Sequence, residues 1–129
     1  MTKPLFQIVL ITTVILLISC EGGTTFTKTI NNKSSEEITI KVYSIYGNEQ
    51  SEIINSNESK EIYWDDQMGS FVDDSYSCTQ EFDSIQVIVS NDKVLTKDIL
   101  NSGNWQRESD DERNSKEDCT FTITNNDLQ

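Results

Sequence analysis

Residues 36–46 read EEITIKVYSIY, and this stretch decides the fold. Ile38, Ile40 and Val42 alternate with Thr39, Lys41 and Tyr43. A period of two is what a strand with one buried face requires, because successive side chains leave opposite faces. The β-branched and aromatic content fits a pleated, half-buried surface. On the N-terminal side, NNKSS at 31–35 is a turn signal. Before it, FTKTI at 26–30 puts Phe26 and Ile30 on one face, with Thr25, Thr27 and Thr29 on the other. On the C-terminal side, Gly47-Asn48 ends the strand, residues 51–54 form a short candidate strand and Asn55-Ser56-Asn57 a turn. Residues 59–64 then read as a strand with Ile62 and Trp64 on one side, Glu61 and Tyr63 on the other.

Further along, residues 65–79 lose the alternation and read as a long loop carrying Cys78. It returns over residues 82–90, with Ile85, Val87 and Val89 opposed to Ser84, Gln86 and Ile88. Apolar residues on both sides predict a central strand. Asn91-Asp92 turns the chain into KVLT at 93–96, which predicts a hairpin. Residues 99–105 fit either a strand or one helical turn. Residues 106–118 hold no hydrophobic side chain and are expected to be a solvated loop outside any core. Residues 119–124 close the domain, with Cys119, Phe121 and Ile123 on one face. Short strands separated by turns, without a convincing helix, predict an all-β fold. The expected form is an antiparallel β-sandwich of immunoglobulin-like architecture with about seven short strands. The one proline is Pro4, so charge is expected to protect the sheet edges, through Lys28, Lys33, Lys41, Glu36 and Glu37.

The first twenty residues are of another kind. Lys3 precedes an apolar run at 5–18 broken only by Gln7, Thr12 and Thr13, and Leu17-Ile18-Ser19-Cys20 follows. A membrane-spanning helix needs about 20 apolar residues, so the run reads more readily as a signal-peptide core. The tetrapeptide resembles the lipobox of bacterial lipoproteins, and the chain resembles the small members of that group that follow the cysteine with one β-sandwich domain. The resemblance implies cleavage before Cys20, acylation of its thiol and a lipid bilayer as the partner held through it. It also implies a cell-envelope location, with the outer membrane favoured over the inner and the face left open. The chain then divides into a signal peptide (1–19), a lipidated cysteine with its tether (20–25) and the β-sandwich (26–129). With Cys20 committed to lipid, Cys78 and Cys119 are left as a pair, and an oxidising compartment predicts a disulfide between them. Closing that loop is worth about 4 kcal/mol by chain-entropy arithmetic.

Charge and composition exclude several roles. The chain has 129 residues and a formal charge of −12, and residues 1–19 contribute one lysine and no acid. An excess of negative charge argues against nucleic acid and against adsorption to anionic headgroups. There is no histidine, so no Ser-His-Asp triad or Cys-His pair can form, and no phosphate-binding glycine loop is present. No catalytic residue, metal ligand or cofactor is therefore expected. The acidic runs, chiefly Asp65-Asp66, Asp73-Asp74 and residues 108–112, lack the alternate spacing of a calcium loop and read as solvated.

Tyr63, Trp64, Phe71, Tyr76 and Trp105 are the candidate binding surface. Aromatic platforms beside carboxylates hold sugars or peptides, although in a small domain such rings also serve as packing. Asp83-Ser84-Ile85 resembles an acceptor for bacterial O-glycosylation at Ser84. The expectation is a membrane-tethered, non-enzymatic binding or accessory module for a protein or glycan partner. The alternatives are a small carboxylate-dependent hydrolase and a purely structural envelope component.

Overall fold

Alternation of buried and exposed side chains runs through a computed structural model that describes residues 22–69, 73–110 and 114–129. Seven strands are formed among the described residues: β1 Gly23–Asn32, β2 Ile38–Ser44, β3 Glu49–Ile54, β4 Glu58–Met68, β5 Phe82–Val89, β6 Gln106–Asp110 and β7 Ser115–Ile123. They make two sheets, ordered β4-β1-β7-β6 and β3-β2-β5, which pack as a sandwich. Ile30, Ile38, Ile40, Ile54, Phe121 and Ile123 are all 0 % exposed between them. The stretch at 36–46 supplies β2, the middle strand of its sheet, with its alternation intact. One ladder departs from the antiparallel expectation: β1 and β7, the two central strands of the larger sheet, run parallel.

Several boundaries and faces differ from expectation. β1 begins at Gly23, so residues 23–25, expected as tether, already pair with β4. The expected hairpin at 93–96 is absent; Leu95 instead forms a single antiparallel bridge with Leu128. Residues 99–105 resolve as one 3-10 turn, Ser102–Asn104, whose Asn101 side chain accepts from the Gly103 N–H. β5 is an edge strand and not a central one, leaving Ile88 44 % exposed. Residues 106–110 and 115–118 are strand, because polar groups facing one another across the β6–β7 pair satisfy one another. Arg107 grips Glu117 with two parallel hydrogen bonds of 2.8 and 2.9 Å, and Ser109 Oγ donates to it at 2.7 Å. Glu117 is thereby carried into the core at 0 % exposure.

The expected edge charges are elsewhere too. Lys28 lies on an interior strand and is fully buried, and Lys41 lies on the middle strand β2. Lys33 and Glu37 are exposed in the connection between β1 and β2. Glu36, 7 % exposed, accepts from Lys93 and Asn91 at 2.6 Å and from Ser90 at 2.9 Å. These three donors, Lys93 first, hold its carboxyl down at about 2. The real edges, β3, β4, β5 and β6, carry their own charges, among them Glu49, Glu58, Lys60, Asp83 and Glu108.

Candidate binding cleft and buried lysine cage

The cleft is built where a turn meets a bulge. Between β2 and β3, the Gly47 N–H donates to the Ser44 carbonyl at 3.0 Å. Gly47 takes φ +81°, a left-handed conformation that favours glycine. That turn leaves Tyr46 64 % exposed. Across from it, the β1/β4 register slips between Lys28 and Thr29, which pair with Tyr63 and Glu61. Ile62 is the extra residue of this bulge. Ile62 and Tyr63 both face inward as a result, and Trp64, expected on the side of Ile62, emerges 59 % exposed beside Thr27. Tyr46, Asn48, Tyr63, Trp64 and Asp65 line a shallow cleft of about 380 Å³. Tyr63 stays a neutral phenol, since burial, with Asp65 and Glu81 adding to it, pushes it well above the ordinary tyrosine range.

Behind Tyr63 lies a closed counterpart. Lys28 projects inward from β1, and its Nζ donates to Glu81 and to the Cys78 carbonyl, the latter at 2.6 Å. The ammonium sits 4.4 Å from the ring centre of Phe82, 5.2 Å from that of Tyr63 and 5.6 Å from that of Tyr76. An ammonium over aromatic faces is attracted by the ring quadrupole, more so when desolvated. Burial pushes the Lys28 amine down, and Glu81 pulls the other way. The loop that supplies Glu81 is fastened by the Cys78–Cys119 disulfide, with Cα atoms 5.8 Å apart. Arg107 fastens it further, donating to the Asp73 carbonyl at 2.7 Å and to that of Tyr76 at 3.2 Å. The two clusters are joined as well, because the Ile45 N–H donates to the Glu81 carbonyl at 3.0 Å.

Of the five aromatic residues expected to form a surface, Tyr63 and Trp64 reach the cleft. Tyr76 and Trp105 are core residues, 9 % and 7 % exposed. Trp105 Nε1 donates to the Ile99 carbonyl at 2.8 Å, and its ring lies 5.3 Å from that of Phe121. Phe71 and Cys20, the expected lipidation site, lie outside the described residues. Ser84 is half-buried on β5, opposite Tyr43. The predicted disulfide is formed, and it ties the loop before β5 to the last strand. Among the described residues no three His, Cys, Asp or Glu side chains converge as metal ligands. The residues that the sequence reading missed are Tyr46 and Asn48, which it treated as a strand end, and the Lys28–Glu81 pair. A lysine between Phe26 and Ile30 at period two was the available signal for the second.

No family model matches the chain, and neither a curated protein nor a solved structure does.

Proposed function

We propose that this chain is an envelope lipoprotein, anchored through an acylated Cys20, whose β-sandwich is a non-enzymatic binding module. The cleft formed by Tyr46, Asn48, Tyr63, Trp64 and Asp65 receives a cationic group of its partner. The observation that carries this reading is the exposure of Trp64 and Tyr46, 59 % and 64 %, beside a carboxylate. Two large aromatic rings left in water next to Asp65 present the same ingredients that surround Lys28, without a lysine of their own. The acidic balance of the whole chain favours the approach of positive charge. The start of β1 at Gly23 leaves a short link between Cys20 and the sheet. At roughly 3.5 Å per residue, such a link keeps the domain close to the bilayer surface.

Two measurements test the two halves of the proposal. Cys20→Ser protein, fractionated from cells, is expected in the soluble fraction, with the wild type sedimenting with membranes. Equal partitioning of the two contradicts the anchor. For the cleft, calorimetric titration with lysine- and arginine-rich peptides is expected to give binding that weakens with salt, while glutamate-rich peptides and neutral oligosaccharides give none. Binding of the neutral sugars alone contradicts a cationic partner.

A further inference from the structure

Lys28 is 0 % exposed, and the Glu81 side chain against it is 6 % exposed. An amine and a carboxyl in contact, enclosed by Phe82, Tyr63 and Tyr76, are the two halves of an amide. We propose that this pair is a modification site, at which Lys28 Nζ and the Glu81 side-chain carboxyl condense into an amide that joins β1 to the residue preceding β5.

The step balances without any further reagent. Two buried charges are costly, and proton transfer from Nζ to the carboxylate converts them to a neutral amine facing a neutral acid. Burial already pushes the Lys28 amine down, which favours that transfer. The Nζ lone pair attacks Cδ and the C–N bond forms. The acid hydroxyl takes the amine's second proton, the C–O bond breaks, and one water leaves.

Three features of the site assist. The fold holds the reacting groups together, and well-oriented intramolecular reactions gain effective molarities of about 10⁵ M or more. The Tyr76 hydroxyl is buried and makes no hydrogen bond among the described residues. Its phenol is raised far above the ordinary range by burial first and by the nearby Glu81 charge second, so it keeps its proton. It can therefore donate to the oxyanion that develops on the Glu81 carboxyl, as a preorganised donor does. In the product, the amide N–H retains the Cys78 carbonyl as acceptor, and the amide oxygen gives the Tyr76 hydroxyl a partner.

The test is peptide mass measurement on the purified full chain, reduced, denatured and cut by a glutamate-specific protease. Cleavage after Glu21 and Glu36 frees residues 22–36, which contain Lys28 and not Cys20. The expected result is that this fragment is found joined to the one carrying Glu81, at the sum of their masses less one water, with no cleavage after Glu81. Recovery of residues 22–36 solely as a free fragment overturns the proposal. In Tyr76→Phe protein, which loses only the hydroxyl, the joined fraction is expected to fall. An undiminished fraction overturns the role given to Tyr76.

Discussion

The lysine cage and the open cleft use the same materials to different ends. In the cage, Phe82, Tyr63 and Tyr76 surround the Lys28 amine that the chain itself supplies, and the Glu81 carboxyl lies against it. In the cleft, Tyr46, Trp64 and the outer side of Tyr63 stand beside Asp65 and are open to solvent. Tyr63 belongs to both. Aromatic rings and a carboxylate stabilise this fold where they enclose a lysine, and where they do not they are left exposed as the surface we propose for binding. Mutations should accordingly damage stability in one region and recognition in the other.

The largest expected effect comes from emptying the cage. Lys28→Met strands the Glu81 carboxyl in the core and should cost about 3–5 kcal/mol, read as a lower urea midpoint. The double variant K28M/E81L removes both charges and should recover what the stranded carboxyl cost. A single variant as stable as the wild type would contradict a stabilising role for the cage. Next comes Cys78→Ser, which frees the loop that supplies Glu81 and should cost about 2–4 kcal/mol in thermal unfolding. On a non-reducing gel it should lose the mobility difference that the wild type shows on reduction.

Trp64→Ala sharpens the other side. Removing an exposed ring should change folding stability by no more than about 0.5 kcal/mol. It should weaken binding of a lysine- or arginine-rich peptide on the order of tenfold, the scale of a partly desolvated cation–π contact. The smallest effect is set by acid. Glu36 is ionised in the fold down to about 2, below the ordinary value of 4.5, because Lys93, Asn91 and Ser90 bind its charged form. A depressed carboxylate contributes stability that is full above about 4.5 and is lost as pH falls towards about 2. Acid unfolding of Glu36→Gln should be flatter across that window.

The sandwich was legible in the sequence because its signal is local. Ile38, Ile40 and Val42 reveal a strand by alternation alone, and Phe121 and Ile123 do the same at the other end. The disulfide was legible by counting. The buried polar pairs were not, because each is a strand residue whose partner is far along the chain. Lys28 reads as a solvated charge until Glu81, 53 residues later, is placed against it. Arg107 and Glu117 read as a mobile acidic loop until the β6–β7 ladder brings them together. For the cleft, a single bulge at Ile62 sufficed to turn Trp64 outward, and nothing in EIYWD announces a bulge. Of the residues that form the cleft, alternation correctly oriented none.

The most direct test of the central claim is fluorescence of the intact protein titrated with a trimethyllysine peptide. Trp105 is buried at 7 % exposure, so Trp64 is the tryptophan a solvent-borne cation can reach. A saturable change that disappears in Trp64→Ala and weakens with added salt is the predicted result. A flat titration, or an identical change in Trp64→Ala protein, would contradict it.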